Sequence, residues 1–156
     1  MTLRIDYATV APEAARALFG LEKYLRQCGL EHSLLELLKI RCSQINGCAY
    51  CLDMHTKDAR AAGETEQRIY TLSAWHETPF FSDREQAALA WAERVTRVAD
   101  GGVPQELFDE TRKHFSEKEV ADLTWAVVTI NGWNRIALSF GAVAGSYQPP
   151  AAGAAK

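Results

Sequence analysis

The chain has 156 residues, 47% of them hydrophobic and 24% charged, with 17 Lys and Arg against 20 Asp and Glu. This length suits one domain with its own core, expected over residues 1–147, and needs no disulfide or metal to hold it. A net charge of −3 without a basic run excludes nucleic-acid binding by phosphate neutralisation, and no apolar run reaches the ~18 residues of a membrane-spanning helix.

The N-terminal stretch MTLRIDYATVAPEAARALFG carries charges throughout and has no apolar core of a secretory signal, which predicts a cytoplasmic chain. In that reducing compartment the four cysteines are free thiols, metal ligands or redox groups, not staples.

Start and stop signals predict about seven helices and an all-α fold. Pro12 opens the first, which runs to about Cys28 and stops at Gly29. Ser33 and Glu36 read as a capping box for the second, through Leu34, Leu37, Leu38 and Ile40 to about Ile45. Asn46-Gly47 ends it. A third begins near Cys48 and stops before Gly63. Thr65 caps a short fourth through Ile69 and Leu72, closed by Thr78-Pro79. Ser82 and Glu85 form a second box, for a helix to about Val98. Pro104 opens the next, to about Phe115. Ser116 and Glu119 form a third box, for a long final helix toward Phe140. Residues 148–156, QPPAAGAAK, read as a disordered tail. The final helix carries Trp125, Val127, Val128, Ile130, Trp133, Ile136, Leu138 and Phe140 around most of its circumference. Part of that surface is expected at a subunit interface, which predicts a homo-oligomer.

The chemistry concentrates in INGCAYCLDMHTKDAR. Cys48 and Cys51 are three residues apart and His55 four beyond, so all three line one helix stripe. Asn46-Gly47 places both cysteines in a first turn, where free N–H groups and the helix dipole favour an anion. An ordinary thiol has a pKa of about 8.5; lowering it by about two units makes most of it thiolate near neutral pH. A second thiol then converts a sulfenic acid to a disulfide. Three alternatives compete. The cysteines can be small core hydrophobes. With His55 they make three zinc-type ligands, but a fourth has to come from Cys42, His32, His76 or Glu36. A c-type haem needs His directly after the second Cys, and Leu52 stands there. Glu36 has a structural reading as capping partner of Ser33. An antiparallel return at Asn46-Gly47 would also bring it level with His55.

Glu36, Cys48, Cys51 and His55 at this spacing resemble the active-site pattern of the alkylhydroperoxidase D-like proteins of the carboxymuconolactone decarboxylase superfamily. RCSQINGCAYCLDMHTKDARAAGETEQRI is similar to that family's core, and WHETPFFSDREQAALAWAERVT and INGWNRIAL to its peroxidase-related subgroup. The resemblance implies an all-helical fold assembled as trimers or hexamers. It implies hydroperoxide reduction without haem, metal or other cofactor. Cys51 would meet the peroxide, Cys48 would close the disulfide, and Glu36 and His55 would relay protons. An external dithiol, lipoyl-like or thioredoxin-like, would reduce the pair again. One position departs: Tyr50 stands where the best-known members have histidine, and a phenol does not shuttle protons as imidazole does. The superfamily's true decarboxylases lack the C-x-x-C, so these cysteines argue against lactone decarboxylation. The same thiols also suit a redox sensor or disulfide-exchange protein. Cys28 and Cys42 fall outside the pattern. Trp133, Asn134 and Arg135 are expected in the core or an interface, the last two satisfying buried polar groups. Trp75 and His76 are expected to be structural.

Overall fold

The computed structural model describes residues 2–149. The described residues form eight α-helices and two short 3-10 segments, with no strand among them. The helices are α1 (Tyr7–Val10), α2 (Pro12–Leu25), α3 (His32–Asn46), α4 (Ala49–Ala61), α5 (Glu66–Thr71), α6 (Asp83–Thr96), α7 (Gln105–His114) and α8 (Glu117–Phe140). The expected tail lies outside the described residues from position 150 onward.

Local chemistry explains most of these boundaries. The Ser82–Glu85 and Ser116–Glu119 boxes both form; each serine N–H donates to the glutamate at 2.8 Å, and each glutamate N–H donates to the serine hydroxyl at 3.3 Å. Thr65 accepts the Arg68 N–H at 3.2 Å and starts α5. The Ser33–Glu36 box does not form. Helix α3 begins earlier, at His32, with Glu31 as N-cap and no side-chain cap bond. Glu36 therefore lies a turn inside the helix and faces the core. Glu31 itself pairs with Arg84 at 3.0 Å. The helix beyond the expected seven is α1, a single turn capped by the Asp6 carboxylate, which accepts from Ala8 N at 3.2 Å and Thr9 Oγ1 at 2.6 Å. It is too short to leave a periodic pattern in the sequence.

Helix α3 is the axis of the fold and packs against α4, α6 and α8. Leu37, Leu38 and Ile40 of α3, Ala88, Leu89 and Ala92 of α6, and Leu123, Val127 and Ile130 of α8 are fully buried and form the centre of one continuous core. Helix α8 is two-sided: Val127 and Ile130 face inward, while Trp125, Val128 and Leu138 are about half exposed in the single chain. It ends at Gly141 in the left-handed region, where a Cβ would meet the Thr2 carbonyl oxygen at 2.8 Å.

The α3–α4 junction positions the site. Gly47 sits at φ 68°. Its N–H bonds the Gln44 carbonyl at 3.3 Å, and the Cys48 N–H bonds the Ser43 carbonyl at 3.0 Å. This is a Schellman turn, whose left-handed residue is glycine because a Cβ is costly there. Cys48 is at once the end of that turn and the N-cap of α4. No loop intervenes, so α4 doubles back along α3.

Ser116→Ala is expected to lower the unfolding free energy by about 1 kcal/mol through loss of the cap. Ser33→Ala, at a position that caps nothing, is expected to stay within about 0.5 kcal/mol of wild type. Urea denaturation at unchanged m-value checks both.

Candidate active site

Cys51, His55 and Ala59 recur every fourth residue on the buried face of α4. Cys48 and Cys51 are each 1% exposed, both are free thiols, and their sulfurs are 2.9 Å apart. From the antiparallel α3, Glu36 reaches across so that its Oε2 lies 2.9 Å from His55 Nδ1. The level match expected from helix rise is therefore met. The Glu36 carboxylate is ionised and can only accept, so Nδ1 carries the proton and Nε2 is left for chemistry.

Glu36 is held by more than His55. Lys39 Nζ, one turn along α3, donates to Glu36 Oε1 at 3.1 Å and lies 3.5 Å from Glu22 Oε2 of α2. Glu22, Lys39 and Glu36 thus alternate in sign through a buried layer, with His55 hydrogen-bonded at its end. Burial alone would raise the Glu36 pKa. The hydrogen bond from His55 and the Lys39 charge outweigh it and hold the carboxyl at about 2. Burial would likewise lower the Lys39 pKa, but the charges of Glu36 and Glu22 raise it. A cavity of about 190 Å³ is lined by Ser33, Glu36, Ala59, Glu64 and Arg68 among others.

The two sulfurs share one proton unequally. Cys48 is lowered to about 6, first by the hydrogen bond from Cys51, against burial, and then by the Cys51 N–H, the Asn134 side chain and the Tyr50 N–H. Its sulfur makes no formal cap bond, yet it lies at the start of α4, where those N–H groups favour the anion. Cys51 is raised by its bond to Cys48, by burial and by the Cys48 charge. The position at the helix start thus favours the anion at Cys48 over Cys51.

The irregular segment after α8 closes the outer flank of α4. Gly145 N donates to Asp53 at 2.9 Å, Lys57 Nζ to the Tyr147 carbonyl at 2.9 Å, and Tyr147 OH to Asp58 at 2.7 Å. Asp58 is the third member of the one cluster of metal-type donors among the described residues, with Glu36 and His55, all within 4.8 Å. Cys48 and Cys51 are not part of that cluster.

Glu36 and His55 form one contact and Cys48 and Cys51 another, with Cys51 and His55 one turn apart on the buried face of α4. Sequence reasoning missed Lys39, Glu22, Asp58 and Asn134, whose side chain favours the ionised form at both cysteines. Lys39 alone left a signal, three residues from Glu36 on one helix. Cys42 is fully buried and accepts from Thr96 Oγ1 at 3.2 Å, and burial pushes its thiol up to about 11, which fits an inert core thiol. Cys28 is only half-buried. Trp75 donates its indole N–H to Glu93 at 2.8 Å, and His76 lies exposed at the surface.

Two measurements check this electrostatic picture. Glu36 is held below its usual value of 4.5, so its stabilisation is complete above that pH and is lost as pH falls toward about 2. Lys39→Met is expected to move that acid loss to higher pH in urea titrations. Limited alkylation of the reduced protein, mapped by mass spectrometry, is expected to label Cys48 before Cys51, with a midpoint near pH 6.

Residues 12–94 match the model of the carboxymuconolactone decarboxylase family. The uncharacterised protein YdfG of Bacillus subtilis is 46% identical over 141 residues, covering 90% of this chain and 96% of YdfG. The crystal structure of ATU0492 from Agrobacterium tumefaciens, a protein of unknown function assigned provisionally to antioxidant defence as AhpD, superposes with a TM-score of 0.89 at 43% identity, covering 94% of this chain and all of that one. The alkyl hydroperoxide reductase AhpD of Bradyrhizobium diazoefficiens is 33% identical over 66 residues, 42% of this chain and 33% of that protein. With its all-helical fold and its Glu–Cys–Cys–His site, this chain belongs to the carboxymuconolactone decarboxylase family, among its AhpD-like members.

Proposed function

We propose that the chain is a thiol peroxidase that reduces hydroperoxides through the Cys48–Cys51 pair. The observation that carries this reading is two free sulfurs 2.9 Å apart at a helix start, beside a buried Glu36–His55 pair. The AhpD names of two relatives support it.

The chemistry follows from the resting charges. The Cys48 thiolate attacks one oxygen of ROOH, and the O–O bond breaks. Cys51 gives its proton to the leaving alkoxide, which departs as ROH. Cys48 is then a sulfenic acid and Cys51 a thiolate. Cys51 attacks the Cys48 sulfur and displaces hydroxide, which leaves as water with a proton delivered through His55. Two electrons have passed from the pair to the peroxide, and the protein holds a disulfide. An external dithiol of lipoyl-like or thioredoxin-like type restores the pair by exchange. Glu36 remains ionised and keeps His55 oriented for this proton traffic. The family resemblance assigns the first attack to Cys51; the resting charge on Cys48 favours the reverse order. The reaction runs in the cytoplasm, within an oligomer that covers Trp125, Val128 and Leu138.

The 1% exposure of both sulfurs supports a second reading, a sensor that oxidises readily and is re-reduced slowly.

Peroxide consumption with a dithiol reductant is expected to fall at least ~100-fold in both Cys48→Ser and Cys51→Ser. Equal activity in all three proteins sinks the peroxidase reading. Trapping the sulfenic acid with dimedone is expected to mark Cys48 in Cys51→Ser; marking only Cys51, in Cys48→Ser, reverses the order of attack. Stoichiometric oxidation by peroxide without turnover selects the sensor.

A further inference from the structure

We propose that residues 143–149 are a gate over the Glu36–His55 pair, latched shut by Tyr147. The gate controls access to that pair whatever the reaction; its use in turnover rests on the peroxidase reading above.

The need for a gate comes from burial. Glu36 is 4% exposed, His55 6%, and each cysteine 1%. A reagent larger than water reaches such groups only when part of the chain moves, and the part that moves is the part held least. Helices α3, α4 and α8 share one apolar core, so parting them exposes apolar surface throughout. The segment after α8 is held differently. It has no regular structure, and its residues 143–146 are exposed. It leaves α8 at Gly141 and turns at Gly145, at φ 72° and 99°, where glycine carries no Cβ penalty. The second turn brings the chain back over the outer flank of α4.

Among the described residues, three hydrogen bonds tie the segment to α4. Gly145 N donates to Asp53 Oδ2 at 2.9 Å, and Lys57 Nζ donates to the Tyr147 carbonyl at 2.9 Å. Asp53 and Lys57 are themselves an ion pair one turn apart at 2.9 Å, so the backbone docks on a pair that α4 forms by itself. The third bond is the latch: Tyr147 OH donates to Asp58 Oδ1 at 2.7 Å. Asp58 lies three residues beyond His55 on α4. One oxygen of its carboxylate stands within 4.8 Å of a His55 ring nitrogen and of a Glu36 oxygen. The phenol is thus anchored one carboxylate away from the buried pair. Burial and the bond to Asp58 raise the Tyr147 pKa, so the hydroxyl remains a donor. Beyond the latch, Gln148 and Pro149 form one wall of a cavity of about 580 Å³ that Thr56, Arg60 and Tyr70 also line. Breaking the three bonds costs far less than opening the core, since each is regained in part from water. Opening lifts Tyr147 off Asp58 and uncovers the edge of α4 that carries Asp58 and His55.

The test is the rate at which diethyl pyrocarbonate labels each imidazole of the full chain, mapped by mass spectrometry. His76, exposed at the surface, is the internal reference. Wild-type His55 is expected to react at least ~10-fold more slowly than His76. Tyr147→Phe keeps the ring and removes the latch. Lys57→Met removes the bond to the Tyr147 carbonyl at a residue in contact with neither Glu36 nor His55 in the bonds above. Each is expected to speed His55 labelling at least ~5-fold, with His76 labelling and alkylation of the core thiol Cys42 unchanged. An unchanged His55 rate in Tyr147→Phe overturns the proposal; if that variant does not fold, an unchanged rate in Lys57→Met does so. A rise that Cys42 shares reports general loosening and also overturns it, as does a wild-type His55 that reacts as fast as His76. Labelling needs no peroxide. A wild type that labels as described but consumes no peroxide therefore defeats the peroxidase reading and leaves the gate standing.

Discussion

The left-handed turn at Gly47 is the constraint on which the site depends. It ends α3, supplies the carbonyl that holds the Cys48 N–H, and leaves no residue between the turn and the first turn of α4. Because the return is so tight, the register of α4 on α3 is fixed. That register sets Glu36 opposite His55 and the sulfurs opposite Ser43. A loop of even a few residues would let α4 slide, and a shift of one residue moves a side chain 1.5 Å along the axis and about 100° around it. The hydrogen bonds at 2.9 Å to His55 and 3.0 Å to Ser43 do not survive such a change.

Around this junction the molecule separates two kinds of electrostatics. On one side, Glu22, Lys39 and Glu36 form a buried chain of ion pairs that ends on the hydrogen-bonded imidazole of His55. Removing one member leaves its neighbour unpaired in the interior, which costs far more than the pair contributes. On the other side, the sulfurs are surrounded by neutral dipoles: helix N–H groups, a serine and amides. The first arrangement keeps a carboxylate ionised at any ordinary pH. The second tunes a thiol into the range where its charge responds to its surroundings. The strong field thus orients the His55 imidazole, and the weak field surrounds the sulfurs.

Much of this was legible in the sequence because it is local. The spacing of Cys48, Cys51 and His55 on one helix, the break at Asn46-Gly47, and the boxes at Ser82 and Ser116 are short-range facts. Where the same local rule failed, at Ser33 and Glu36, tertiary structure had claimed both ends: Glu31 was drawn to Arg84, and Glu36 to His55 and Lys39. A capping box and a buried, ion-paired glutamate look alike in a string of letters. What could not be read is what arrives from distant helices. Glu22 comes from α2 and Asn134 from α8, and neither has a spacing relation to the cysteines. For the same reason the sequence did not say which sulfur carries the charge, since that depends on where N–H groups point.

The burial of the sulfurs in contact with each other also bears on the fate of the protein under oxidative stress. A sulfenic acid is lost irreversibly when a second peroxide reaches it before a thiol does. In the proposed reaction the competing thiol is already within 2.9 Å and shielded from bulk solvent, so closure is a collision within the site while further oxidation requires a new molecule to enter. The race is decided by geometry more than by peroxide concentration. Such a site resists overoxidation, and it buys that durability with slower entry for whatever must reopen the disulfide.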